Sequence, residues 1–211
     1  MKVLIACEES QAVCIAFRNK GHEAYSCDIQ ECSGGHPEWH IQGDVLAQLD
    51  KKWDMMIAHP PCTYLSYAAT SSWNNPGRLR KRLDALDFFA KLYEANMPKI
   101  CIENPMGCAS PTIAKYSQVI QPYFFGDTES KRTCLWLKNL PLLKHVNQDT
   151  LFEKNTHVEP KIYAYYKTGR KKGKPIYGND YCKFSEDRGK IRSKTFPGIA
   201  NAMAEQWSNL T

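Results

Sequence analysis

The sequence predicts one α/β domain built on a doubly wound, mostly parallel sheet that carries a small basic insertion. Three observations lead there. Short apolar runs such as KVLIA, WDMMIA and KICIEN alternate along the chain with stretches of helical spacing, the pattern of strands joined by crossover helices. These runs are apolar throughout rather than at every second residue, as strands covered on both faces are. The chain is 211 residues long with 43% hydrophobic content, enough for one sizeable core.

In chain order, Lys2 to Ala6 reads as a buried strand. Ser10 is placed to cap a helix reaching about Lys20, with Val13, Ala16 and Phe17 on one face and Gly21 as its C-terminal stop. EAYSCD is a second strand ending at Asp28, and the GDV of Gly43 to Val45 places Asp44 at the end of a short third one. Trp53 to Ala58 is the next strand. From Arg78 to Ala95, Leu79, Leu83, Leu86, Ala90 and Tyr93 recur at spacings of four and three, which predicts an amphipathic helix. KICIEN, SQVIQPYFF and TCLWL supply three further strands, and TFPGIANAMAEQW a closing helix with Pro197 in its first turn. Residues 147 to 195 lack a clear period and read as a basic, aromatic insertion within the single domain, 1 to 211.

The nine cysteines include no C-x-x-C pair and several sit in strand-like runs, which predicts reduced, mostly buried thiols in a cytoplasmic protein. No apolar run approaches the roughly 20 residues that cross a bilayer, so no membrane partner is expected. Charge is local. Between His157 and Thr195 eleven Lys/Arg face four acids, a surplus larger than the whole chain's net charge of +6. Tyrosines interleave with these cations, a composition suited to phosphate contacts and base stacking. Nucleic-acid contacts are therefore expected from Tyr165, Tyr166, Lys167, Arg170, Lys171, Lys172, Lys174, Arg188 and Arg192.

In a doubly wound sheet, ligands gather beyond the carboxyl ends of the strands. Those ends should present Glu8 and Glu9, Asp28, the His59-Pro60-Pro61-Cys62 turn and Glu103-Asn104. A cysteine in a turn stiffened by two prolines offers its thiol to a cleft. Beside a carboxylate, such a thiol can add to an electron-poor heterocycle while the carboxylate hydrogen-bonds the ring nitrogen. An acid ending the second strand is where such folds hold a ribose hydroxyl. Cys27, Cys32, His36 and His40 also form a C-x4-C-x3-H-x3-H run, a compressed alternative that would bind zinc.

The order of first turn, strand-end acid, GDV, PPC, ENP, ESKRTCLWL and FPGIANAM resembles the cytosine-C5 DNA methyltransferase family, in the reduced form found among phage and prophage proteins. The resemblance spans about residues 1 to 140 and 195 to 208. It implies the Rossmann-like fold of S-adenosylmethionine-dependent methyltransferases, with DNA as partner and no obligate protein partner. Cys62, after Pro61, would attack cytosine C6. Glu103 would bind N3 and the exocyclic amine, Asn104 would support the turn, and Lys131 and Arg132 would steady the base or its backbone. S-adenosylmethionine, or a derivative such as its carboxylated form, would lie against Cys7, Glu8, Glu9 and Ser10. Asp28 and Ile29 would meet its ribose side and Asp44 and Val45 its adenine, with Pro60 and Asn201 completing the wall. The family's first turn is glycine-rich, whereas this one reads ACEESQAV, and Pro105 stands where an aliphatic residue is usual. An RNA cytosine, or a non-catalytic DNA-binding role on the same fold, are the alternatives.

Overall fold

The computed structural model describes residues 1–151, 153–178 and 195–210. Seven of the strands it describes are β1 (Lys2–Ala6), β2 (Glu23–Asp28), β3 (His40–Gln42), β4 (Met55–Ala58), β5 (Ile100–Pro105), β6 (Gln118–Ile120) and β7 (Thr133–Lys138). They form one sheet in the order β3-β2-β1-β4-β5-β7-β6. β1 pairs in parallel with both β2 and β4, β3 extends the sheet beyond β2, and β5 lies parallel to β4. β7 alone runs antiparallel, between β5 and β6. Strand order therefore reverses between β1 and β4, and the crevice at that reversal is where a ligand fits.

Alternate residues of the apolar strands feed two cores. Val3, Ile5, Met55 and Ile57 pack against helices α1 (Ala12–Asn19) and α4 (Pro197–Trp207) through Val13, Phe17, Ile199, Met203 and Trp207, α3 being the single turn Ala109–Thr112. Leu4, Met56, Ile100 and Ile102 face the other way, against Phe89 and Leu92 of α2 (Arg78–Tyr93). Burial on both faces is why the strands read as continuous apolar runs. At the start of α4, Gly198 donates its N–H to Asp127 at 2.8 Å, and a Cβ there would overlap the Phe125 carbonyl.

Four local expectations change. Ser10 does not cap α1; the side chain of Glu8 does, accepting from Val13 N at 2.8 Å and Cys14 N at 3.2 Å, because a carboxylate answers two open amides and the helix dipole at once. SQVIQPYFF is a strand only to Ile120, and Pro122–Phe125 form a 3-10 turn, since proline cannot donate to the ladder. In α2 the buried residues are Phe89 and Leu92, while Leu79 and Leu83 are 62% and 52% exposed; only the second half of the helix lies on the sheet core. The basic insertion holds a hairpin, β8 (Ile162–Tyr165) and β9 (Pro175–Tyr177), so part of that segment has strand structure that no hydrophobic period announces.

Candidate active site

The chain leaves β4 through the two prolines and folds back at once, the Cys62 carbonyl accepting from Leu65 N at 3.1 Å and Ser66 N at 2.9 Å. The Cys62 side chain stands partly exposed at the carboxyl edge of the sheet. Two devices fasten this turn to β5. Asn104 Nδ2 donates to the Pro60 carbonyl at 2.8 Å, with Asn104 buried. Beyond it Ser66 and Gly107 form an antiparallel bridge, flanked by Tyr67 N to Met106 O at 3.1 Å and Cys108 N to Leu65 O at 2.9 Å. Gly107 is required there because a Cβ would overlap the Leu65 carbonyl. Asn104→Ala should therefore cost about 1–3 kcal/mol in urea denaturation, the usual penalty for stranding a buried polar partner.

Glu103 is buried at 8% exposure beside that turn. Its Oε2 lies 3.1 Å from His59 Nδ1 and its Oε1 3.7 Å from Lys131 Nζ. Burial pushes its pKa up, but Lys131, His59 and Thr133 together outweigh burial and hold it at about 2. The carboxylate is thus ionised and can only accept hydrogen bonds. Six other thiols are poor nucleophile candidates. Burial pushes Cys7 and Cys14 up to about 12 and Cys27 and Cys134 to about 11, and also raises Cys101 and Cys108.

Next to the turn, a cavity of about 590 Å³ opens at the carboxyl ends of β1 to β4. Cys7, Asp28, Ile29, Asp44 and Val45 line it, joined by Pro61 rather than Pro60. Asp28 Oδ1 accepts from Gln30 N at 2.9 Å and Asp44 Oδ1 from Leu46 N at 2.9 Å, so both carboxylates are fixed by their own loops. Ile29 is 75% exposed, an apolar side chain at the cavity's lip. Cys7 turns the chain at φ 59°, a left-handed conformation normally left to glycine.

The remaining expected cofactor residues lie elsewhere. Glu8 is committed to α1, Glu9 bonds the hydroxyl of Ser33, Ser10 packs its carbonyl against Gly34, and Asn201 is exposed on α4. Arg132 is exposed next to Lys131. The candidate zinc ligands do not converge: His40 bonds Ser26 Oγ at 2.8 Å and the Gln30 carbonyl at 2.9 Å, and His36 stacks on Trp39. No group of three possible ligands meets among the described residues. Lys167, Arg170, Lys171, Lys172 and Lys174 are exposed around the tip of the hairpin, with Tyr165 57% exposed beside half-buried Tyr166. Arg188 and Arg192 lie outside the described residues.

Three features were not anticipated. His59 bonds Glu103, although its place beside the prolines was visible. Lys81, Asp84, Ala85 and Phe88 of α2 form one wall of the cavity, their spacing hidden beneath the leucine pattern. The start of α2 is also basic, with Arg78 over the Tyr64 ring at 4.9 Å and Arg82 over Trp73 at 4.0 Å; the RLRKR run was its signal.

No protein-family model and no curated protein matches the sequence. Among solved structures, the chain is similar to the Entamoeba histolytica methyltransferase EhMeth at 13% identity and a TM-score of 0.50, over 74% of this chain and 57% of that one. It is also similar to a protein assigned as a DNA modification methyltransferase of an E. coli prophage, at 12% identity and a TM-score of 0.42, over 64% of this chain and 45% of that one. The chain spans about half the length of these structures. What it shares with EhMeth is architecture: it has the Rossmann-like α/β fold of the methyltransferases.

Proposed function

We propose that the protein methylates C5 of cytosine in DNA, with Cys62 as nucleophile and S-adenosylmethionine as methyl donor. The observation that carries this reading is the fastening of a partly exposed thiol and a buried, ionised carboxylate to one rigid edge, beside a cavity of about 590 Å³. That volume lies in the ordinary range for small-molecule sites. Its chemistry suits a nucleoside sulfonium: the carboxylates of Asp28, Asp44 and Asp84 for hydroxyl or ammonium donors, apolar Ile29, Val45, Pro61 and Phe88 for a flat base, and, among the described residues, Lys81 as its one lining cation.

Bound there, S-adenosylmethionine supplies an electrophilic methyl group. Cys62 adds to C6, and the electron pair displaced from the C5–C6 bond makes C5 nucleophilic. Glu103 accepts from the exocyclic amine and stabilises a protonated N3. Lys131 holds the Glu103 carboxylate in place. After transfer, loss of the C5 proton restores the double bond and expels the Cys62 thiolate. A base inside a duplex hides C6, so the target must be single-stranded or flipped out, at a cost of a few kcal/mol.

The test is incubation with S-adenosylmethionine and DNA carrying 5-fluorocytosine, followed by intact-mass and peptide mapping. The fluorine cannot leave as a proton does, so an adduct at Cys62 carrying one added methyl is expected; no adduct despite cofactor and DNA binding would overturn the reading. A larger added mass would instead identify a modified donor.

The hairpin is the surface we assign to the nucleic-acid backbone, since residues 160–178 include six Lys/Arg and no acid. Neutralising Arg170, Lys171 and Lys172 to Gln should lower the slope of log affinity against log salt by about 2 to 3. An unchanged slope in a salt titration would remove the hairpin from the interface.

A further inference from the structure

The proposed reaction, on which this inference rests, leaves one proton unassigned. Addition of Cys62 pushes electrons toward N3, which must be protonated to take them, yet Glu103 is ionised and has no proton to give. His59 is in contact with it. Its side chain is 7% exposed, its Nδ1 lies 3.1 Å from Glu103 Oε2 and 3.4 Å from Thr195 Oγ1, and its Nε2 is buried with no hydrogen-bond partner among the described residues.

The groups around this imidazole define its role. Glu103 faces it from β5, and Lys131 meets the far oxygen of that carboxylate from the segment before β7. Glu8, in the turn after β1, also acts on it electrostatically, and its own oxygens are occupied by the amides of α1. Burial raises the Glu8 pKa, while the attraction of His59 and the amides of Val13 and Cys14 oppose that rise. Of the groups touching Glu103, an imidazole is the type that ordinarily exchanges a proton near neutral pH.

We propose that His59 is the positioning residue for Glu103 and the store of the proton that Glu103 presents to N3 of the bound cytosine. The N–H bond at Nδ1 breaks and its electron pair stays on the imidazole. The proton passes to the Glu103 carboxylate, and the acid so formed delivers it to N3. An imidazolium and a neutral base become a neutral imidazole, protonated at Nε2, and an N3-protonated base that accepts the electrons brought by the Cys62 thiolate. On expulsion of the thiolate the proton returns by the same route.

His59→Asn retains an amide N–H near the Nδ1 position but no exchangeable proton. We expect adduct formation with 5-fluorocytosine DNA to slow at least about tenfold. The decline of the wild-type rate with rising pH, as the imidazolium is lost, should disappear. S-adenosylmethionine affinity and melting temperature should stay near wild type, which separates this role from a structural one. A wild-type rate and pH profile in His59→Asn would overturn the inference. A second measurement does not depend on turnover: the ¹⁵N imidazole titration of His59 should move to lower pH in Glu103→Gln. An unmoved titration overturns the His59 assignment whatever the activity. A wild type that shows the coupling but forms no adduct overturns the methyltransferase reading, and the proton step with it.

Discussion

Cys62→Ser is expected to lower methyl transfer by at least about three orders of magnitude, because a hydroxyl at neutral pH is far less nucleophilic than a thiolate. The substitution is nearly isosteric and Cys62 is partly exposed, so stability should stay within about 1 kcal/mol of wild type. Cofactor affinity should be preserved as well, since the lining of the cavity includes Pro61 and Tyr64 but not Cys62. The informative result is the combination: binding by calorimetry at wild-type strength, transfer of the labelled methyl to DNA lost, and no covalent complex. Transfer within tenfold of wild type would sink the covalent mechanism. Loss of both binding and transfer would instead place Cys62 in the architecture of the site.

Glu103→Gln should change how stability depends on pH. The folded protein holds Glu103 at about 2, below the roughly 4.3 of an unfolded glutamate. The folded state therefore binds fewer protons, and this contribution is present above about pH 5 and lost as pH falls toward 2. Its size is about 3 kcal/mol, from a difference of about two units at 1.4 kcal/mol each. Glu8 and Asp127 act in the opposite sense because burial raises both, so the net acid profile mixes signs. The difference between wild type and Glu103→Gln isolates the one group. Urea midpoints at pH 7, 5 and 3 should show the variant less stable at pH 7 and the gap closing at pH 3. A gap independent of pH would mean that Lys131 and His59 do not depress Glu103.

The layers and the sheet were legible because they rest on burial. Leu4 and Val3, or Met56 and Met55, point into opposite cores, and a strand covered on both faces has to be apolar at every position. The edge positions of Cys62, Glu103, Asp28 and Asp44 followed from where those strands stop. Less legible was anything set by competition between neighbours. Glu8 looked available for a ligand, yet the open amides of α1 lie closest to it. Leu79 and Leu83 obey a helical period but face solvent, because period states which residues share a side and not whether the sheet reaches them. His59 carried no periodic signal at all, and only the register of β4 on β5 brings it to Glu103.

The lacing of the Cys62 turn to the end of β5 also limits how the protein can tune its chemistry. Thiol and carboxylate belong to one mechanical piece, joined by the Asn104 amide and the Ser66–Gly107 bridge. A shift of one carries the other, so the spacing between them survives motion of the surrounding walls. In the proposed reaction, outer elements that close over a bound base move toward a stationary anvil. Variation in target preference can then accumulate on those outer elements without detuning the reacting pair.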